Sequence, residues 1–303
     1  MPILSYSSEV WGPILLKGLN ENNLMALCSK PTVESIHVKF CKYILGVHRK
    51  ATNAAVIAEL GSYPIMIEIA CKAIKYWIHL QSYNQNSLVH KCLLENYDQF
   101  HNGKDCWMKS IFKILHFTGM QETWHNLGGT DTRATVSKLK NHLENIYEAQ
   151  RHRHINGAGR EESHKLRTYC AFKKNFSMEP YLLSNIPVKK RNNFSKLRIS
   201  AHTLAIETGR YTRPKTPVCE RKCVMCNTGE IEDEKHIVLF CNYYEKSRRD
   251  LLDKLKSVNC CISEFGDSAK FEYIMNTGGN SETCSIVNFV NLIFDTRKAH
   301  LGP

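Results

Sequence analysis

The sequence predicts a mostly α-helical protein, and three observations carry the prediction. Apolar residues recur at three- and four-residue steps along much of the chain. Residues that start and stop helices bracket these segments, with Thr32, Pro64 and Asp131 at starts and Gly46, Gly61 and Gly209 at ends. No strand-rich region and no internal repeat interrupts the pattern.

The first periodic segment opens after Pro31, with Thr32 as N-cap and Ile36, Phe40, Tyr43, Ile44 and Val47 on one face. A short helix from Asn53 to Leu60 stops at Gly61. Tyr63-Pro64 then opens a long helix whose inward stripe is Ile65, Ile69, Ala73, Tyr76, Trp77 and Leu80. Further helices are predicted at Ser87 to Phe100 and Lys104 to Phe117, the second placing Trp107, Ile111, Ile114 and Leu115 on one side. Gly128-Gly129-Thr130 breaks the chain. Asp131 begins a helix with Val136, Leu139, Leu143, Ile146 and Tyr147 at helical steps, too short for a coiled-coil seam and expected to join the same core.

At Arg151-His-Arg-His154 the composition changes, and Asn156-Gly-Ala-Gly159 reads as a flexible break. The expected organisation is a helical domain over 1–150, a basic helical segment over 151–217, a small Cys3His zinc knuckle over 218–245 and C-terminal helices over 246–303. Within the basic segment a helix from Asn193 to Thr208 turns Phe194, Leu197, Ala201 and Leu204 inward and leaves Lys196 and Arg198 to solvent. The last helices run from Tyr243 to Lys256, burying Leu251, Leu252 and Leu255, then near Ser268 to Met275 and from Ser281 to Ala299. The final pair uses Phe271, Ile274, Ile286, Val290, Ile293 and Phe294 as its core.

A length of 303 residues with 43% hydrophobic and 23% charged residues places the chain among folded proteins. The N-terminus lacks the basic start and apolar run of a signal peptide, and no stretch approaches the ~20 apolar residues of a membrane span. The chain is therefore expected inside the cell, in nucleus or cytoplasm, with no membrane partner. Thirteen cysteines in that setting read as reduced thiols plus a metal site.

The metal site is Cys223-x2-Cys226-x9-His236-x4-Cys241, in a polar segment with little core to bury these side chains. A two-residue gap lets both sulfurs of a knuckle turn inward, and His236 and Cys241 complete a tetrahedron around one Zn²⁺. Cys219 offers a competing pair with Cys223 and is placed outside the shell. Arg221, Lys222 and Lys235 flank the ligands and favour their thiolate forms. Four protein ligands leave no open position for a substrate water, which makes the zinc structural.

The net charge of +12 is concentrated: residues 151–222 carry seventeen Lys/Arg against five Asp/Glu, and the rest of the chain carries twenty-four of each. A polyanion is the expected partner. Lys189, Lys190, Arg191, Lys196, Arg198, Arg210, Arg213 and Lys215 are the candidate nucleic-acid contacts. Tyr169, Phe172, Phe176, Tyr181 and Phe194 lie among the basic residues, either as stacking platforms for unpaired bases or as core beneath a solvated basic face. Glu230, Glu232, Asp233 and Glu234 are expected to face away from phosphate.

Several segments taken together resemble the C-terminal part of a non-LTR retrotransposon reverse transcriptase. They are Ser8-Glu-Val-Trp-Gly12, Phe40-Cys-Lys-Tyr-Ile-Leu-Gly-Val47, Ala58-Glu-Leu-Gly-Ser-Tyr-Pro64, Lys72-Ala-Ile-Lys-Tyr-Trp77, Lys196-Leu-Arg-Ile-Ser-Ala-His202, Ile206-Glu-Thr-Gly-Arg-Tyr211 and Ile231-Glu-Asp-Glu-Lys-His236. The resemblance implies a thumb-like helical region that grips a template-primer duplex and a knuckle that binds RNA or target DNA, with Cys223, Cys226, His236 and Cys241 as its zinc ligands. Phe240-Cys241-Asn242 departs from the Cys-Pro of many relatives without removing the ligand. It also implies that the palm carboxylates would lie ahead of the Ser8 block, before Met1, and the chain contains no Asp-Asp dipeptide. No nuclease carboxylate pattern follows Cys241.

The resulting expectation is a non-catalytic nucleic-acid-binding module. Its alternatives are a truncated piece of an RNA-directed DNA polymerase, with the missing polymerase portion as a partner, and a protein-interaction scaffold. No Cys/His/acid motif of a nucleophilic enzyme stands out.

Overall fold

The computed structural model describes residues 3–20, 23–125, 131–158, 164–276, 278 and 280–302. These residues are mostly helical, and the β pairing among them is confined to two isolated bridges, Leu60 with Met178 and Lys222 with Ile231. The expected break at Gly128-Gly129-Thr130 lies outside the described residues. No helix among the described residues is long and apolar enough to cross a membrane.

The chain forms two compact units, one of Met1–Val38 with Tyr63–Arg153, the other of Lys39–Ser62 with His154–Pro303. Each unit is therefore discontinuous in sequence. The expected division at 150/151 falls inside one helix, Thr132–Ala158, which continues through Arg151–His154. Asn156, Gly157 and Ala158 form its last turn, where a flexible break was expected, and Gly159 lies outside the described residues.

The first unit is organised on Ile65–Leu80, whose fixed start at Pro64 and apolar stripe act as read: Ile65, Ile69, Ala73, Trp77 and Leu80 are buried, and Tyr76 is half-buried. Leu88–His101 begins with the Ser87 side chain accepting the His90 N–H at 3.2 Å, an N-cap bond. Trp107–Phe117 buries Ile111, Ile114 and Leu115, while Trp124 stacks on Trp77 at 5.5 Å and meets Tyr97, Phe100 and Phe112. Asp131 caps Thr132–Ala158, its Oδ1 accepting the Arg133 N–H at 2.8 Å, and that helix buries Leu139, Leu143 and Tyr147. Gly12 packs closely on this helix: a Cβ there would lie 2.1 Å from Cγ2 of Ile69, so any side chain would force Ile69 to shift.

Thr32–Leu45 corrects the sequence reading of its inner face. Glu34, His37, Val38, Cys41 and Leu45 are buried, whereas Ile36, Phe40 and Tyr43 are 44%, 48% and 81% exposed. The cause is a satisfied polar pair: Glu34 Oε1 lies 2.8 Å from His37 Nδ1, so two ionisable residues take inward positions that hydrophobic periodicity assigns to apolar ones. Thr32 is also the first helical residue and not the cap.

In the second unit, Tyr169, Phe172, Tyr181, Phe194, Leu197, Leu204 and Ile206 form a core with Ala55, Val56, Leu251, Leu255, Phe271, Ile274, Ile286, Val290 and Ile293. Leu252 and Phe294 are half-buried against it. The expected helix over Asn193–Thr208 is in fact two, Val188–Arg198 and Ala205–Thr208. Between them Ser200 adopts φ 52°, and the Ser200 and His202 side chains reach a buried carboxylate, which outweighs helical continuity. Val188–Arg198 lies along Asn280–Leu301, where Asn193 Nδ2 donates to Asn291 Oδ1 at 2.7 Å. The final helices otherwise follow expectation, at Glu245–Val258, Asp267–Met275 and Asn280–Leu301.

Candidate metal centre and basic surface

Two local structures bring the four candidate ligands together. The first is a tight loop closed by the Lys222–Ile231 bridge, in which Cys223 N–H donates to Glu230 O at 2.8 Å and Glu232 N–H to Arg221 O at 2.9 Å. Its turn uses Gly229 at φ 71°. Cys223 and Cys226 sit on this loop. The second is a single π-turn over His236–Phe240, closed by Cys241 N–H donating to His236 O at 2.7 Å. Residues five apart on an α-helix diverge by about 140°. The wider turn brings His236 and Cys241 back to one side. Asp233 Oδ1 accepts the His236 N–H at 2.7 Å and fixes where the turn begins.

One ligand atom from each of Cys223, Cys226, His236 and Cys241 lies within 4.8 Å of the others. Cys223 Sγ is 3.9 Å from Cys241 Sγ, and Cys226 Sγ is 3.3 Å from His236 Nε2. A tetrahedron with Zn–S bonds of about 2.3 Å has S···S edges of about 3.8 Å, so the donor set is compatible with one zinc. Cys219 is exposed and outside the group, as expected. Contact with the Cys241 thiol, together with burial, pushes Cys223 up to about 12, while the same contact lowers Cys241 despite its burial. Burial would raise Cys226, but hydrogen bonds from Thr228 and His236 outweigh it and lower the thiol. Burial would lower His236, and the thiols of Cys223 and Cys226 raise it instead. A bound metal displaces the protons these four groups share.

The flanking cations do not act on the sulfurs as the sequence reading expected. Arg221 is buried and spends its guanidinium on Ile206 O at 2.7 Å and Thr216 O at 2.8 Å. Lys235 reaches Ser268 Oγ at 3.4 Å, and Lys222 is exposed.

Beneath the centre lies an ionic lattice. Glu232, Glu234 and His236 alternate inward, and both carboxylates, expected only to face away from phosphate, are fully buried. Glu232 accepts both a 2.7 Å and a 2.8 Å bond from Arg297 and a 2.6 Å bond from the Ala205 N–H. Glu234 accepts from Ser200 Oγ at 2.8 Å, lies 2.9 Å from His202 Nε2 and pairs with Arg167. Burial alone would raise the Glu234 carboxyl, but the hydrogen bond and charge of His202 and the charge of Arg167 hold it down at about 2.

Arg198 occupies a second node. It is completely buried, pairs with Glu59 and with Glu179 at 2.5 Å, donates to Met275 O, and lies 4.7 Å from the Phe172 ring centroid and 5.3 Å from that of Tyr181. Lys173 is buried against Glu179. Arg198 is therefore withdrawn from the candidate nucleic-acid contacts: it sits among aromatics with two carboxylates to neutralise. Tyr169, Phe172, Tyr181 and Phe194 are core, not free stacking platforms.

Of the remaining candidates, Lys189, Lys190, Arg213 and Lys215 are exposed, with Lys190 Nζ donating to Asn288 Oδ1 at 2.8 Å. Arg191, Lys196 and Arg210 are half-buried; Arg191 bonds Leu182 O at 3.1 Å, and Arg210 bonds Glu207 at 2.9 Å. The basic surface is thus smaller than the local charge count, because Arg167, Lys173, Arg198 and Arg221 are consumed inside the fold. Sequence reasoning missed the lattice; its visible signal was the Glu232, Glu234, His236 alternation. Compared with protein-family models, curated proteins and solved structures, the chain matches none.

Proposed function

We propose that this chain is a non-catalytic nucleic-acid-binding module built around one structural zinc, of the kind found in the C-terminal region of non-LTR retrotransposon reverse transcriptases. The observation that carries the reading is the closed Cys3His donor set with exposed Arg213, Lys215 and Lys222 on the chain leading into it. Four protein donors make the metal a fold element and leave no site for a metal-bound reactant. The blocks Lys196–His202 and Ile206–Tyr211 both bond to Ile231–His236, through Ser200 and His202 to Glu234 and through the Ile206 N–H to Glu232 O at 3.1 Å.

The test pairs metal content by mass, on protein purified without added zinc, with binding to a generic single strand across a salt series. One zinc per chain, lost in Cys226→Ser, together with affinity that falls steeply as salt rises, is expected. Salt-independent binding, or none, overturns the proposal. A protein-interaction scaffold is the second reading, favoured by the exposed Ile36, Phe40 and Tyr43. Concentration-dependent self-association without nucleic-acid binding would select it.

A further inference from the structure

Half of the strongest unexplained cationic cluster comes from residues 42–50, which the charge count over 151–222 leaves out. Lys42 Nζ donates to Arg49 O at 2.7 Å, and Lys165 Nζ donates to Lys50 O at 3.2 Å and to Tyr211 Oη at 3.4 Å. The turn is closed from within by the Lys50 N–H donating to His48 Nδ1 at 3.1 Å. Two ammonium groups thus pin consecutive carbonyls, and the turn carries the Lys50 ammonium to 4.7 Å from the centre of the Tyr211 ring. Lys165 Nζ stands 6.0 Å from the same centre. Tyr211 itself is 49% exposed, and Arg49 and Lys50 are exposed beside it.

Among the described residues, the carboxylate paired with these lysines is Glu207, 3.9 Å from Lys165 Nζ, and it is shared with Arg167 at 3.7 Å and Arg210 at 2.9 Å. Burial and the Lys165 charge lower the Lys42 ammonium; burial, with the charges of Lys165, Lys42, Lys50 and His202, lowers His48. An anion entering here relieves repulsion already present in the fold. Unlike Tyr169, Phe172, Tyr181 and Phe194, Tyr211 presents a ring with cations beside it to solvent.

We infer that Tyr211 and Lys50, on a turn held in place by Lys165, form a platform for one unpaired nucleotide of a nucleic-acid strand: the base stacks on the Tyr211 ring and a flanking phosphate takes the exposed Lys50 ammonium. The inference rests on the nucleic-acid reading above and assigns it a specific site. A single strand fits better than a duplex, because only an unpaired base has a face free to stack and any base supplies one. Lys50, now over the ring, moves to phosphate as the base takes its place.

The test uses the full chain with zinc bound and fluorescein-labelled oligothymidylate, with a blunt two-strand duplex as comparison. Tyr211→Ala is expected to weaken oligothymidylate binding on the order of tenfold with its salt slope kept. Tyr211→Phe retains binding, and duplex affinity is unchanged in both. Lys50→Ala, at an exposed residue, lowers the salt slope by about one. Wild-type affinity of Tyr211→Ala for oligothymidylate, or an equal loss on strand and duplex, overturns the platform while leaving nucleic-acid binding intact. Absence of binding by the unaltered protein overturns both.

Discussion

The two units solve the problem of a core with different materials. In the first, Trp77, Trp124, Tyr97, Phe100 and Phe112 interlock around Ile65–Leu80, and the Glu34–His37 pair is a local buried polar contact within a mainly apolar packing. In the second, Arg198, Glu59, Glu179, Glu232, Glu234, Arg167 and Arg297 are buried or nearly so beside the Cys3His group. An apolar core loses stability in proportion to the contact removed. An ionic core is conditional on every partner being present, because a lone buried charge is far more costly than a missing methyl group.

Metal removal tests that contrast hardest. A structural zinc of this type contributes binding free energy on the order of 10 kcal/mol that is also folding free energy. Chelation, or Cys241→Ser at a fully buried ligand, is expected to abolish amide protection in peptides from 164–276 while peptides from 65–117 keep theirs, as read by hydrogen exchange. Equal loss in both segments would show the units to be one cooperative block.

Next come paired core substitutions. Trp77→Ala and Arg198→Met are each expected to cost about 3–5 kcal/mol in denaturant titrations, for opposite reasons. The Arg198→Met loss should shrink when Glu59→Gln is added, because the uncompensated carboxylate is then gone. Trp77→Ala has no such rescue. A persistent full loss in the double variant would mean that Arg198 acts through packing on Phe172 and Tyr181.

Acid sharpens the comparison further. The Glu234 carboxyl is held at about 2 against an ordinary 4.5. The folded state therefore binds its proton more weakly than the unfolded chain, and this stabilisation is complete above the unfolded carboxyl range and lost as pH falls toward 2. On the order of 3 kcal/mol is at stake. Circular dichroism across that window should show Glu234→Gln starting lower and flattening the acid limb. The smallest expected effect is Ser87→Ala, which removes an N-cap from Leu88–His101 and should cost the first unit about 1 kcal/mol by thermal melt, independent of metal.

Helix positions and the ligand set were legible in the sequence because each rests on local spacing. Pro64 fixes a start, Gly61 a stop at φ 56°, and Cys223-x2-Cys226 a knuckle, without reference to distant residues. What failed depended on partners far along the chain. Arg198 reads as a solvent-facing helical arginine until Glu59, 139 positions earlier, is brought against it. Glu232 reads as a loop acid until Arg297 arrives from the last helix. Ile36, Phe40 and Tyr43 form an apolar stripe, yet the face that turns inward is that of Val38, Cys41 and Leu45 with the Glu34–His37 pair. Charge counted along a sequence cannot separate cations that neutralise the interior from those left at the surface.

The discontinuity of the second unit has a consequence for how the chain acquires its structure. Glu59 and the Leu45, Ala55 and Val56 side chains leave the ribosome well before Arg198 and Tyr169, with residues 63–153, which belong to the first unit, synthesised in between. The unit that carries the Cys3His group holds its first piece unsatisfied until its second is synthesised, a long-range closure that slows folding. A fragment cut at residue 154 would carry all four ligands yet lack Glu59, leaving Arg198 facing a hole where its partner stands. The ligand-bearing sequence is contiguous; the domain that needs it is not.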